Sequence, residues 1–336
     1  MKYASLQRVL VLHEELDAGA RPDEADALQQ VAEVSDALRQ LRIDVSVAAV
    51  SLNLAQGLKT IQAVMPDCVF NLVESLGGRG ELIALVPALL ESAALPYTGS
   101  GSMAISLTSH KILAKRWMRL NSIPTPDWHE TADGIANTGD RWIVKSLWEH
   151  ASLGLDDASV TDSPTAVAAR IRDCARTYGG QWFAERYVEG REFNISVLEH
   201  DGQLIVLPLA EMMFIDYPPG KPRIVGYAAK WDDTAPEYHD TRRCFPVLDR
   251  ADSKALQEVV RQCWSLFGLR GYARVDVRLD RQGTPWVIEI NANPCLAQDA
   301  GFLAAAAQAG LSYTQVLASI LDAASRPALP EFRRAG

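Results

Sequence analysis

The sequence predicts an α/β protein that begins with a parallel strand–helix–strand unit, and three observations predict it. A short apolar run at 7–12 (QRVLVL) precedes Ala, Leu and Val at helical spacing over 23–41, and strand patterns follow at 43–50 (IDVSVAAV) and 67–73 (DCVFNLV). A helix between strands allows the strands to pair in parallel. Residues 271–291 alternate with period two on both sides of Asp280-Arg281-Gln282-Gly283, a turn in which the glycine takes positive φ. The chain has 336 residues, 48% hydrophobic and 22% charged, the balance of a globular protein of two or three domains.

Thirty-three Lys and Arg against 42 Asp and Glu leave a net charge of −9. That argues against general binding to nucleic acid or an anionic membrane, but not against anionic ligands in a local basic pocket. No apolar run reaches the roughly 20 residues that span a bilayer. The apolar core of MKYASLQRVLVLHEE is too short for a secretory signal, so the expected location is the cytoplasm. The five cysteines, at 68, 174, 244, 263 and 295, are odd in number and never in CxxC spacing, as expected of reduced thiols in packed positions.

Ligands in parallel α/β units bind beyond the carboxyl ends of the strands. His13 and Glu14 stand at one such end and Glu74 at another, although a solvated loop position suits the two Glu equally and His13 better. The loop Gly77-Gly78-Arg79-Gly80-Glu81 leads into a helix starting near 82, whose N-terminus could hold an anion. A second glycine-rich stretch is LPYTGSGS (95–102). Neither GxxxxGK[ST] nor GxGxxG after a strand occurs, so neither a P-loop nor a dinucleotide fingerprint is present. A helix from 109 to 121 carries Lys111, Lys115, Arg116 and Arg119, three of which are expected on a solvated face.

Residues 124–140 read as a connector. The strand 142–146 carries Lys145, a charge that needs a partner such as a phosphate. In the following loop, Ser152 and Gly154 suit a flap whose backbone N–H groups approach phosphates. A helix over 163–178 leads to a strand over 181–188. Gly190 is expected as a hinge before a new alternating sheet, to which 203–215 add a strand pair. The Pro-, Gly- and aromatic-rich segment 216–241 has the composition of a long ordered active-site loop. A helix over 252–267 precedes the hairpin, helices over 299–309 and 312–324 follow it, and the tail from 326 is expected to fray.

In the hairpin, Val275, Val277 and Leu279 alternate with Arg274, Asp276 and Arg278, and Trp286, Ile288 and Ile290 alternate with Val287, Glu289 and Asn291. If the strands pair across the turn, Arg274, Asp276, Glu289 and Asn291 converge. Oxygen donors of this kind suit Mg²⁺, which takes few carboxylates and completes its shell with water and phosphates. Arg274 would stand ready for developing negative charge. An ordinary hairpin with a solvated polar face fits the same pattern.

Taken in order, VFNLVESLGGRGE (69–81), LPYTGSGSMAISLTSHKILAK (95–115), IPTP (123–126), IVKS (143–146), ERYVEGREFNISVL (185–198) and GYARVDVRLD…WVIEINANP (271–294) resemble the ATP-grasp superfamily and, within it, the D-alanine–D-alanine ligase family. The resemblance covers roughly residues 65–300 and implies an α/β (α+β ATP-grasp) fold of three domains. These are an N-terminal parallel α/β domain (1–107), a central ATP-grasp subdomain (108–188) and a C-terminal subdomain with the metal site (189–330), with ATP between the last two. It implies a carboxylate–amine ligase that forms an amide bond through an acylphosphate. It also implies small-molecule carboxylate and amine substrates, no nucleic-acid or membrane partner, and a homodimer.

The resemblance assigns roles by position. Lys111 and Lys145 would hold the ATP phosphates under the flap of Ser152 and Gly154. Glu185, Arg186 and Val188 belong to the segment that reads the adenine edge, largely through backbone groups, and Glu192 would hold the ribose. Asp276, Glu289 and Asn291 would hold two Mg²⁺, for which Mn²⁺ can substitute. Arg274 would stabilise the transferring phosphoryl group, and Lys230 would face phosphate, with Lys221 as its rival.

The substrate half departs from the family pattern. Glu74 replaces a His, Ala151 replaces a flap Ser, Leu12-His13-Glu14-Glu15 replaces a Gly-Gly start, and Cys295 and Ala300 stand where the family has Gly and a carboxylate-binding Ser. A pocket without those hydroxyl and imidazole partners discriminates poorly for D-alanine. The expectation is therefore a ligase with another substrate pair, with Glu14 and Glu74 suited to an amine. D-alanine–D-alanine ligase itself, a non-catalytic ATP-binding protein and a carboxylase-type subunit remain as alternatives.

Overall fold

A computed structural model describes residues 6–16, 22–136, 139–149 and 151–325. The expected fraying of the tail from 326, and His150 of the flap, lie outside the described residues.

The chain opens with strand β1 (Arg8–Glu14), helix α1 (Pro22–Gln40), strand β2 (Asp44–Val50), helix α2 (Leu54–Val64) and strand β3 (Cys68–Asn71). The three strands form a parallel sheet in the order β2-β1-β3. Val9 and Val11 face one side of β1 and Leu10 and Leu12 the other, and all four are buried, as in a strand covered on both faces. A one-turn 3-10 segment at Gly80–Leu82 precedes helix α3 (Leu85–Ser92), so the helix expected from 82 starts a turn later.

Helix α4 (Ser102–Ser109) and helix α5 (Lys111–Leu120) replace the single helix expected from 109. His110 separates them in an extended conformation and caps α5 by accepting from the Leu113 amide. The correction extends to the face of α5. Of its four basic residues, Lys111 and Lys115, one turn apart, are both buried, and Arg116 and Arg119 are exposed.

Strands β4 (Trp128–His129), β5 (Trp142–Ser146) and β6 (Val160–Thr161), helix α6 (Pro164–Tyr178) and strand β7 (Trp182–Arg186) come next. The strands form an antiparallel sheet in the order β4-β7-β5-β6, with α6 packed on Val144, Trp182 and Ala184.

The remaining elements are strands β8 (Arg191–His200), β9 (Gln203–Val206) and β10 (Ala210–Phe214), helices α7 (Tyr227–Trp231) and α8 (Pro236–Asp240), strand β11 (Thr241–Cys244), helix α9 (Arg250–Phe267), strands β12 (Tyr272–Leu279) and β13 (Pro285–Asn291), and helices α10 (Gly301–Gln308) and α11 (Tyr313–Ala324). Their strands form a six-stranded antiparallel sheet, β11-β10-β8-β12-β13, with β9 also on β8. The expected pair over 203–215 is therefore not a hairpin, because β9 and β10 each bond to a different part of β8. Gly190 precedes β8 with φ +155, and a Cβ there would lie 2.1 Å from the Leu279 carbonyl oxygen. Close backbone approach accounts for this glycine.

Phe193, Ile195, Ala273, Val275, Val277 and Ile290 fill the apolar face of the six-stranded sheet, against α4, α5 and α9. Helices α10 and α11 cross back to pack on the β1 and β3 face of the first sheet, beside α1. Among the described residues, no helix is long and apolar enough to cross a membrane.

Candidate active site

The polar face of the six-stranded sheet forms one wall of a cavity of about 510 Å³. Period two sends Arg274, Asp276 and Arg278 from β12, Glu192 and Asn194 from β8, and Thr241 and Arg243 from β11 to that side. Register sets them in rows: Asp276 lies between Asn194 and Glu289, Arg274 opposite Asn291, and Arg278 beside Glu192. Lys145 and Glu185 of the four-stranded sheet and Lys111 of α5 line the facing wall. The loop after β5 and the segment 224–231 close over it, and Glu74 with 295–301 borders its far end.

The hairpin carries a β-bulge that the sequence pattern does not show. Pairing steps from Asp276 with Glu289 to Val277 with Val287, which leaves Ile288 without a cross-strand partner. The expected alternation put Ile288 beside Ile290. The bulge instead turns Ile288 into the cavity with Glu289 and Asn291, while Val287 and Ile290 both enter the core.

Charge in the cavity is closely paired. Arg274 donates to both carboxylate oxygens of Asp276, at 2.8 and 2.9 Å, a bidentate geometry that raises the Arg274 pKa against the opposing effect of burial. Arg278 pairs with Glu192 at 2.7 Å. Glu185, 1% exposed, meets Lys115 at 2.5 Å and Lys145 at 2.7 Å. Burial alone would raise its pKa, but the two ammonium groups outweigh burial and lower it. Lys111 donates to the Glu149 carbonyl at 2.6 Å and lies 3.7 Å from Glu289. Lys230, half-buried, has its pKa lowered by burial and then by the nearby Arg274 cation.

Asp276, Glu289 and Asn291 place two carboxylates and an amide oxygen at one spot. The Asn291 oxygen also accepts from the Asn293 amide at 2.9 Å. Among the described residues, no three His, Cys, Asp or Glu side chains gather at a possible metal site. Two carboxylates and an amide suit Mg²⁺, which needs few protein ligands when phosphates supply the others.

The structure brings Lys111, Lys145, Ser152, Glu185, Val188 and Glu192 to this cavity, as it does Lys230, Arg274 and the Asp276–Glu289–Asn291 group. Glu74, Cys295 and Ala300 border its far end. Five sequence candidates, His13, Glu14, Gly154, Arg186 and Lys221, do not line it. Gly154 lines a neighbouring cavity, Arg186 packs its guanidinium over Trp286, and Glu14 lies buried behind Glu74, 3.5 Å from the Glu74 amide. Lys221, the rival of Lys230, is held by Asp157 at 2.7 Å and Glu237 at 2.5 Å and does not line the cavity. The flap is latched: Ser152 Oγ donates to the Val225 carbonyl, Trp231 Nε1 to the Ala151 carbonyl and the Tyr227 amide to the Leu155 carbonyl.

Sequence reasoning passed over Arg278, Trp231 and Arg243. Arg278 was detectable as the next alternating position after Asp276. Trp231 and Arg243 had no local signal, since they reach the cavity from the short helix α7 and from an edge strand whose placement is tertiary.

A family model described as the D-ala D-ala ligase C-terminus matches residues 128–322. The uncharacterized protein y4sG of Sinorhizobium fredii is 30% identical over 80% of both chains. The D-alanine–D-alanine ligase of Chromohalobacter salexigens is 31% identical over 79% of this chain and 80% of its own. Among solved structures, the D-alanine–D-alanine ligase from Bacillus anthracis complexed with ATP matches with a TM-score of 0.73. It covers 95% of this chain and 97% of its own at 20% identity, a likeness of fold.

Proposed function

The chain belongs to the D-alanine–D-alanine ligase family of ATP-grasp enzymes, ATP-dependent carbon–nitrogen ligases acting on small molecules, and from that premise we propose that it joins a carboxylate and an amine other than two D-alanines. The observation that carries the substrate reading is the makeup of the far end of the cavity. Glu74, Ala151, Cys295 and Ala300 line it together with Trp231 and Arg243, so neither position 151 nor position 300 offers a side-chain hydroxyl.

In this reading the adenine edge meets the backbone of 185–188, and Glu192, oriented by Arg278, takes the ribose hydroxyls. Lys111, Lys145 and Lys230 neutralise the phosphates. Asp276, Glu289 and Asn291 would hold two Mg²⁺, or Mn²⁺ in their place, which would supply positive charge against the phosphates. A substrate carboxylate oxygen bonds to the γ-phosphorus as the bond to the bridging oxygen breaks and ADP leaves. The amine, entering as the free base, then adds to the acyl carbon. Phosphate departs with the C–O bond electrons, and the amine proton passes to solvent. Arg274 lies beside the oxygens that gain charge in both steps. The enzyme contributes position and charge, with no covalent protein intermediate.

We further propose lobe boundaries near residues 107 and 188, a cytoplasmic location and a homodimer. Light scattering of the purified chain tests the dimer, and a monomer at micromolar concentration removes it.

The substrate reading is tested by ADP release with Mg-ATP across amino acids, dipeptides and other carboxylates, with Asp276→Ala as the blank. Turnover of a pair other than D-alanine with D-alanine, abolished in Asp276→Ala, is expected. Turnover of D-alanine alone supports the second reading, D-alanine–D-alanine ligase, the name borne by the Chromohalobacter salexigens relative. ATP binding without turnover on any pair leaves a non-catalytic nucleotide-binding protein.

A further inference from the structure

Arg278 borders the cavity but is only 4% exposed, so its charge serves partners inside the protein. It stands on β12 directly opposite Glu192 of β8. Its Nη2 pairs with Glu192 Oε2 at 2.7 Å and also donates to the Arg223 carbonyl. Nη1 donates to the Gly190 carbonyl at 3.4 Å, and the guanidinium lies 5.3 Å from the centre of the Tyr187 ring. A terminal guanidinium nitrogen carries two N–H groups, so this one atom serves a carboxylate and a backbone carbonyl together.

Arg223 opens a strap, 223–231, that closes over the cavity and carries Lys230 into its lining. The Arg223 amide donates to the Tyr187 hydroxyl at 3.1 Å, and Ile224 packs on Ile143 and Tyr187, contact that adds area but no direction. Farther along, the Val225 carbonyl, the Tyr227 amide and Trp231 Nε1 are bonded to Ser152, Leu155 and Ala151. Those three anchors belong to the flap, itself a loop. Arg278 instead stands on β12, a strand paired on both sides, by β8 and β13. Through it the strap is tied by a charge-assisted hydrogen bond to the body of the six-stranded sheet, and through the same nitrogen to Glu192.

We propose that Arg278 is a positioning residue that makes the placement of the strap, and with it Lys230, depend on the ribose of the bound nucleotide. This deepens the ligase reading and rests on it, since Glu192 takes the ribose hydroxyls there. With Oε2 engaged by Arg278, Glu192 offers Oε1 to a hydroxyl. A hydroxyl that donates to it fixes the carboxylate, the carboxylate fixes Arg278 Nη2, and Nη2 fixes the Arg223 carbonyl at the head of the strap. A nucleotide without ribose hydroxyls keeps its base and phosphate contacts and loses this relay. The difference between the two nucleotides is what biases the strap.

Amide hydrogen exchange on the full chain tests it, with Mg²⁺ and a non-hydrolysable ATP analogue or the 2′,3′-dideoxy form of that analogue, each at saturation by calorimetry. In wild type, the strap amides are expected to exchange about ten-fold slower with the ribose form than with the dideoxy form, beyond any difference in the core amides of α9, which report overall stabilisation. Arg278→Met should remove that excess, and Arg278→Lys should keep only part of it. Equal exchange in wild type overturns the proposal without any variant. An excess that α9 shares, or one that stays whole in Arg278→Met or in Arg278→Lys, overturns it as well. The ligase reading fails separately: an intact ribose effect without ADP release beyond the Asp276→Ala blank removes catalysis and leaves Arg278 its role, whereas no binding of either nucleotide removes both.

Discussion

Lys115 lies one helical turn beyond Lys111 and is 1% exposed, within 2.5 Å of Glu185 and 2.8 Å of the Thr125 hydroxyl. Its neighbour Lys145 holds the other oxygen of the same carboxylate. Removing one member of a buried charged group leaves the remainder poorly compensated, which costs about 3 kcal/mol. Lys115→Met is therefore expected to lower unfolding stability by about that amount at pH 7, read from urea midpoints. Burial lowers the Lys115 pKa from 10.5 to about 8. Between those values the unfolded chain binds more protons than the folded one, so this group makes stability rise with pH across the window. Wild type should thus gain on Lys115→Met from pH 8 to 10, and a constant difference would refute the shift. The thiols of Cys68 and Cys263 are pushed up to about 12 by burial, which suits the packed, reduced role read from cysteine spacing.

At the scale of elements, the segment leading into α7 acts on the flap through close contact. Gly226 packs so that a Cβ would lie 2.9 Å from the Leu155 carbonyl oxygen, the acceptor of the Tyr227 amide. Gly226→Ala is expected to displace this latch. Activity with the substrate pair should fall about ten-fold, while global stability changes by under about 1 kcal/mol, because a lid can open without unfolding the core. Equal activity of variant and wild type would show that the latch has no part in turnover. Gly190 gives the contrasting case. Its virtual Cβ meets the Leu279 backbone oxygen at 2.1 Å, inside the sheet junction. Gly190→Ala should cost about 3 kcal/mol of stability, seen as a lowered thermal midpoint.

At the scale of the molecule, the far end of the cavity depends on contacts between distant parts of the chain. Gln30 of α1, 1% exposed, accepts from the Leu296 amide at 2.6 Å and donates to Glu74 at 3.2 Å, and Glu33 accepts from the Gln298 amide at 2.7 Å. The first helix thus fixes both Glu74 and the loop that carries Cys295 and Ala300. Gln30→Ala is expected to raise KM for the amine substrate several-fold while KM for ATP stays within two-fold. Equal shifts in both would indicate general loosening. Mg-ATP at about 100 times its Kd should stabilise the chain by about 2.7 kcal/mol, and excess EDTA should abolish that gain.

Much of this was legible in the chain itself. Strand–helix–strand at the start, period two around Asp280–Gly283 and the order of the family motifs were enough to place Asp276, Glu289 and Asn291 together, because cross-strand convergence in a hairpin is a local matter of register and turn. Lys111 and Lys145 were legible through the motifs that carry them. Other features needed the folded molecule. The bulge at Ile288 depends on how β13 meets the core, and alternation cannot foresee an inserted residue. The burial of Lys115 depends on Glu185, 70 positions away and on another element. Arg278 meets the Arg223 carbonyl, 55 positions earlier, only because the strap folds back onto β12. Periodicity and spacing report on neighbours within a few residues, whereas which charge finds which partner across the cavity is decided by long-range packing.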